Sequence, residues 1–454
     1  MMEFPTVDIA GFLSRLTFDR IPAELVQRLK IHVLDAMGCG LHGLSQPWAK
    51  IVNQWVMDQG GKADATLWRR HFKGPCANVG LGLGVMIHSF DFDDYHNAKI
   101  HPGAVVIPAA LTVGEALGAS GKDLLTAIAA GYETMIRVSL ATGPTASRLK
   151  GWHLTGTTGT FGAAVAAGKL WGLSTDEMAS AQGMAGTQSA GLWAFLADGA
   201  MSKRFHAGKA AQNGIMAADL ARRGFKGPTR ILEAEDGGFC RATSDAVDLS
   251  ILTDRLGEIF HSGETNIKPY ACCASSHSAV DAVLELKRQC GFTPTEVDSV
   301  IVHTASSVVV QCGFEYQAAG VVQAQMSLQY IVAVALMEGG ALLAQFSPEK
   351  ISEPRIRELA RRVKVIADPD IDRVYPERYA NRVECMLKDG RRFEIRVDFA
   401  KGSREKPLGF SDVAEKFQSL SSGEISQETQ DKIIELAGKL EHLGDIRELI
   451  KLLA

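Results

Sequence analysis

A mainly α-helical chain with one smaller α+β unit set into it is the fold class this sequence predicts. Three observations carry that prediction. Apolar residues recur at helical spacing through most of the first 265 positions. Near Lys268 the texture changes to β-branched alternation and a hairpin signature. After position 400 it returns to helices with one polar face. The chain has 454 residues, 46% of them hydrophobic, enough for one large core or two domains.

Taken in order, "PAELVQRLKIHVLDAMGCGL" (22–41) has helical periodicity, with its proline at the start, where no amide donor is needed. "GKDLLTAIAAGYETMIRVSLAT" follows a glycine break. "STDEMASAQGMAGTQSAGLWAF" opens with Ser174 and Glu177 at capping-box spacing. Small residues dominate "TGTTGTFGAAVAAGKLWGL", and the chain holds 45 glycines, so the helices are expected to pack with close backbone approach. From Lys268 onward, "HSAVDAVLELKRQCG" reads as an amphipathic helix and "VDSVIVHTA" as a strand. "MSLQYIVAVALMEGG" is an apolar helix, and "NRVECMLKDGRRFEIRVDF" is a hairpin turning at Asp389-Gly390. "SDVAEKFQSL" and the segment to the C-terminus are helical again. The helical–mixed–helical order predicts an inserted domain: 1–266 and 401–454 form the helical part, 267–400 the α+β part, and the cleft between them is the expected ligand site.

Composition narrows the function. The formal charge is −4 with no long basic run, which argues against nucleic acid as a partner. No uninterrupted apolar run reaches membrane-spanning length; "PGAVVIPAALTVGEALGA" comes nearest and is broken by Pro108 and Glu115. Eight cysteines are scattered without CxxC pairs, and the start has no signal-peptide layout, so free thiols in a cytoplasmic protein are expected. Phosphate-loop and dinucleotide fingerprints fail on spacing, and the G-x-S-x-G and Q-A-C hydrolase patterns are missing.

The densest chemistry lies in "HSFDFDDYHNAKIHPG" (88–103), with three carboxylates, three histidines and a tyrosine. Asp91, Asp93, Asp94, His96 and His101 supply possible metal ligands, with Asp91/Asp94 and Asp93/His96 each sharing a face if the stretch is helical. HExxH, Cys/His pairing and the EF-hand pattern are absent from it, so no metal is assigned. The bland alternative is a helix C-terminus with solvated acids. Three further polar stretches stand out. "RLKGWHLTGTTG" carries His153, and "MSKRFHAGKAAQNG" carries Lys203, Arg204 and His206. "NIKPYACCASSH" carries Lys268 and His277 at the expected domain boundary. Acids, neutral histidines and clustered cations suit a small polycarboxylate: cations bind its carboxylates and histidines move protons near pH 7.

These stretches, in this order and over nearly the whole chain, resemble the MmgE/PrpD family, whose members include 2-methylcitrate dehydratase, cis-aconitate decarboxylase and iminodisuccinate epimerase. The marks are "HSFDFDDYHNAKIHPGAVVIPAAL", "GWHLTGTTGTFGAA", "MSKRFHAGKAAQNG", "IKPYACCASSH" and "SLQYIVAVAL". The resemblance implies a cofactor-free homodimeric enzyme with a large helical domain and a smaller lid. It places the family's pocket residues on Asp91, Tyr95, His101, His153, Lys203, Lys268 and Tyr330. Tyr95 stands where many members carry threonine. The expected roles follow. Lys203 and Lys268 bind carboxylates, supported by Arg204, His206 and His277. His101 or His153 is the base, and the other histidine or Tyr330 the acid. Asp91 orients His101, and Tyr95 bonds a leaving hydroxyl or a carboxylate. The leading expectation is a lyase dehydrating a 2-methylcitrate-like hydroxy acid by proton abstraction beside a carboxylate. The alternatives are an iminodisuccinate-type epimerase, a cis-aconitate-type decarboxylase, or a non-catalytic polycarboxylate-binding protein.

Overall fold

A computed structural model describes residues 4–454, of which 59% are helical and 9% lie in strands. The central helix is Leu154–Leu170, buried along nearly its whole length. It packs against Gly121–Ala141, Ser202–Arg222 and Gly103–Leu117. Its small residues explain the contact: a Cβ on Gly162 would stand 2.8 Å from the Gly131 carbonyl oxygen of the neighbouring helix. A second close crossing sets the site. A Cβ on Gly84, in the helix Cys76–Ile87, would stand 2.6 Å from the Gly208 Cα. This crossing brings the end of one helix, from which Asp91 follows, to the start of the other, which carries Lys203.

Helix starts match their sequence signals. Pro22 precedes the helix Ala23–Gly43, and the Ser174–Glu177 capping box is formed. Among the described residues, Gly121–Ala141 alone is long and apolar enough to cross a membrane by length and composition, and 94% of its apolar window is buried within the protein.

Two regions differ from the sequence expectation. The short strands β1 (Ala65–Leu67) and β2 (Phe72–Gly74) pair as a hairpin inside the stretch read as helical. Residues 223–276 hold mostly turns and short helices rather than long ones. Glycine, aspartate and threonine favour turns there, and tertiary contacts hold the segment. Arg137, fully buried and paired with Glu133 at 2.8 Å, donates to the Ile251 and Asp254 carbonyls at 2.8 Å each.

The second sheet has four strands: β3 (Val297–Thr304), β4 (Val363–Ala367), β5 (Asn381–Leu387) and β6 (Arg392–Val397), in the order β4-β3-β5-β6. β5 and β6 form the hairpin expected from Asp389-Gly390, with Gly390 at φ 89°. β4 pairs parallel to β3, Val300 opposite Val363. The helix His277–Cys290 covers β5 and β6, and Leu328–Glu338 packs near β4. The C-terminal helix Phe410–Ser421 lies against Ala23–Gly43, and the Arg69 amide donates to the Leu453 carbonyl at 2.9 Å.

Candidate active site

The polar stretch is a loop, not a helix, so the helical faces expected for its acids do not form. The helix Cys76–Ile87 runs into a 3-10 turn at His88–Phe90 and ends at Asp91, whose φ of 53° is left-handed. Aspartate is among the few side chains that adopt this conformation at modest cost. The loop is then tied down on both sides. Tyr95 and Asn266 exchange backbone hydrogen bonds at 3.0 and 2.7 Å, and the Gly103 amide, opening the next helix, donates to Asp94 Oδ1 at 2.8 Å. Tyr132 and His32 also meet the Asp94 carboxylate, at 2.6 and 3.1 Å, so Asp94 is a structural anchor.

At the centre, Asp91 Oδ1 accepts from Lys268 Nζ at 2.7 Å and from Lys203 Nζ at 2.9 Å. Lys268 also donates to the Asp91 carbonyl at 2.9 Å. All three side chains are buried. Burial pushes the Asp91 carboxyl up, but the two ammonium groups outweigh it and hold it well below the usual carboxylate range. Burial and Lys268 lower Lys203, with Asp91 opposing, whereas Asp91 and Asp93 overcome burial and raise Lys268. Asp91 is shared by two ammonium groups here, and Asp93 lies behind it on His88, so the cations are the groups placed to meet a substrate anion.

The histidines are arranged around that charge. Lys203 donates to His88 Nε2 at 3.2 Å, while His88 Nδ1 donates to Asp93 at 2.9 Å. Burial pushes His88 down to about 3 despite Asp93, so it is neutral and its Nε2 is free to accept. His101 Nδ1 faces the Asp94 carbonyl at 2.8 Å. A carbonyl oxygen only accepts, so Nδ1 carries the proton. His101 Nε2, 3.6 Å from Asp91 Oδ1, is therefore the ring nitrogen available for proton exchange. His153 and His206 face each other through Nδ1 at 3.0 Å, and one donates to the other. Burial and the neighbouring cations lower both, His206 to about 4.

Asp91, Tyr95, His101, His153, Lys203 and Lys268 line one cleft. Arg148, Trp193, Cys273, Gln311, Met326 and Tyr379 complete much of its wall. The remaining expected residues lie elsewhere. Tyr330, expected as an acid, donates its hydroxyl to the Gln345 carbonyl and packs against Tyr316 and Phe346. Its helix turns this side chain into the core behind the sheet. Arg204, His206 and His277, expected to bind substrate, are not on that cleft wall, and Arg204 lines a smaller adjoining cavity with His88, Asp91 and Lys203. Arg204 stacks on Trp48 and donates to the Ser89 carbonyl at 3.0 Å, bracing the loop from behind. His206 backs His153. His277 meets the Cys272 carbonyl at 3.2 Å and the edges of Tyr95 and Tyr270. Asp91 does not orient His101, because the Asp94 carbonyl does.

Sequence reasoning missed His88 and Asp93 as a pair, although both lie in the stretch it singled out. It also missed Arg148, five residues before His153, and Lys416. Lys416 reaches in from the C-terminal helix, pairs with Asp35 at 2.6 Å and donates to the Phe92 and Lys268 carbonyls at 2.6 and 3.0 Å. His88, Asp93 and His101 offer three possible metal-ligand atoms within 4.8 Å of one another. Both Nδ1 atoms already donate protons within the protein, and Lys203 adjoins His88, so this donor set fits a hydrogen-bond network better than a metal.

The fold and cleft define a mainly helical protein in which two buried lysines share one aspartate beside His101 Nε2. The MmgE/PrpD N-terminal domain matches residues 7–252 and the C-terminal domain matches residues 270–442, so the chain belongs to the MmgE/PrpD family. It is 30% identical to a cis-aconitate decarboxylase of Aspergillus terreus, over 99% of this chain and 95% of that protein. It is 28% identical to the cis-aconitate decarboxylase of Homo sapiens, over 100% and 95%. It is 24% identical to the 2-methylcitrate dehydratase of Salmonella typhimurium, over 89% and 88%. These relatives are lyases.

Proposed function

We propose that this protein is a carboxy-lyase acting on cis-aconitate or a close unsaturated tricarboxylate. The dehydration favoured from the sequence becomes the second reading. The observation that carries the proposal is His101, whose Nδ1 is held by a backbone carbonyl and whose Nε2 lies beside the Lys203–Asp91–Lys268 centre. The identities support decarboxylation over dehydration: the decarboxylases match at 28–30% over 99–100% of the chain, the dehydratase at 24% over 89%.

The chemistry needs few groups. The C–C bond to the carboxymethyl carboxylate breaks and CO₂ leaves. The electron pair shifts through the adjacent double bond to the vinyl carbon beside the second carboxylate. There it takes a proton, giving a dicarboxylate with a terminal alkene. The lysines hold the carboxylate on which that charge develops. His101, whose Nδ1 proton stays on the Asp94 carbonyl, first takes up a solvent proton on Nε2. It then delivers that proton to the carbon, returning to the neutral ring. Ile100, Trp193 and Met326 give the wall an apolar part, where a carboxylate about to become CO₂ sheds water. In a lid arrangement, closure of the sheet-bearing unit would press Lys268 onto the substrate.

The second reading is dehydration of a 2-methylcitrate-like acid, favoured by the two histidines, His101 and His153, that could serve as base and acid. Proton NMR in D₂O with cis-aconitate and with 2-methylcitrate separates the two. Decarboxylation is expected to yield a terminal-alkene product with one deuterium and released bicarbonate. A new alkene from 2-methylcitrate, with cis-aconitate unchanged, would overturn it. His101→Gln is expected to lower kcat at least 100-fold without loss of fold, and near-normal turnover in that variant would remove His101 from the mechanism.

A further inference from the structure

Among the described residues, buried lysines and arginines have acceptors, with one exception. Lys203 and Lys268 share Asp91, Arg137 has Glu133 and backbone carbonyls, and Lys30 has Glu441 and the Gly438 carbonyl. Arg148 is 8% exposed and lines the cleft, yet among the described residues its guanidinium meets no carboxylate and donates no hydrogen bond. Its Nε is fully buried and unpartnered. Burial lowers it to about 10, which still leaves it charged at neutral pH. The guanidinium lies 3.6 Å over the Trp193 ring. Stacking uses the face of the group and leaves its in-plane N–H donors free. Trp193 is itself fixed, its amide donating to the Gly151 carbonyl at 2.8 Å and its ring meeting His153 and Phe195 edge to face or tilted. A pre-oriented fork of donors without acceptors, in a cleft that already presents two lysines, fits an incoming carboxylate.

We propose that Arg148 is a substrate-binding residue that takes a carboxylate other than the one held at Lys203 and Lys268. The site would then select substrates carrying at least two carboxylates set apart across the cleft. This deepens the polycarboxylate reading above and rests on it, but it can be tested without turnover. Trp193 sets the guanidinium relative to His153, so binding at Arg148 also fixes which substrate carbon meets the histidines.

The test is calorimetric titration with two unreactive probes, propane-1,2,3-tricarboxylate and butyrate, on wild type, Arg148→Gln and Arg148→Lys. Arg148→Gln is expected to weaken the tricarboxylate 10- to 100-fold and leave butyrate unchanged. Arg148→Lys, which keeps the charge but not the stacked fork, is expected to lie between and serves if the glutamine variant does not fold. With cis-aconitate, KM rises in step while kcat changes less. The melting temperature of the ligand-free variant is expected to hold or rise, since an unpaired buried charge is removed; a purely structural arginine would lower it. Equal tricarboxylate affinity in the variants, parallel loss of both probes, or no tricarboxylate binding by wild type would each overturn the proposal. If wild type binds the tricarboxylate through Arg148 yet turns over neither cis-aconitate nor 2-methylcitrate, the reaction assignment fails and the role of Arg148 stands.

Discussion

Asp91→Asn is the most informative single change. Asparagine tolerates the left-handed backbone at φ 53° as aspartate does, so the substitution removes charge without adding backbone strain. At 2.7 and 2.9 Å, each lysine attraction is worth about 6 kcal/mol at an effective dielectric constant of 20. Desolvation of three buried charges, several kcal/mol apiece, offsets most of that sum. Removing the shared partner leaves two stranded cations, for which a loss of about 3–5 kcal/mol is expected. That is a large share of a typical total stability of about 5–15 kcal/mol. Urea unfolding followed by circular dichroism measures it. Adding Lys268→Met to Asp91→Asn removes one stranded charge and is expected to recover about half of the loss. The charge argument fails if Asp91→Asn lies within about 1 kcal/mol of wild type, or if the double variant is no more stable than the single one.

Two further outcomes follow from the same geometry. Burial depresses His88 and His277 to about 3 and His206 to about 4, below the ordinary value near 6.5 in the unfolded chain. The unfolded state therefore binds more protons, and stability is complete above about pH 6.5 and falls as pH drops toward 4, by up to about 1.4 kcal/mol per pH unit for each such histidine. Asp91 and Asp93, held well below the carboxylate range against their burial, lose their contribution only at lower pH still. Unfolding free energies measured from pH 7 to 4 test this: His277→Gln is expected to flatten the slope by about one proton, and a flat wild-type profile would refute it. Tyr330→Phe is expected to cost about 1 kcal/mol, the loss of one buried hydrogen bond to the Gln345 carbonyl, and to leave kcat within twofold. A tenfold loss of kcat would return Tyr330 to the mechanism.

What the sequence determined by itself is what short-range chemistry encodes. Helical periodicity marked Ala23–Gly43 and Gly121–Ala141, side-chain capping marked Ser174, and turn preference marked Asp389-Gly390, because each signal operates within one or two turns of chain. The concentration of acids and histidines from His88 to His101 is likewise a property of one short segment. Tertiary structure decided the rest. β4 became a strand through a parallel partner about sixty residues away, and that pairing leaves no local pattern. Asp91 found its two lysines because Gly84 and Gly208 let two helices touch, and those lysines are more than a hundred residues distant in the chain. The tautomer of His101 depends on a backbone carbonyl, which carries no residue identity to read. Tyr330 was turned into the core, while Arg148 was turned onto Trp193 and into the cleft. The direction a side chain takes is set by which surfaces pack on its helix, and that is a property of the whole fold.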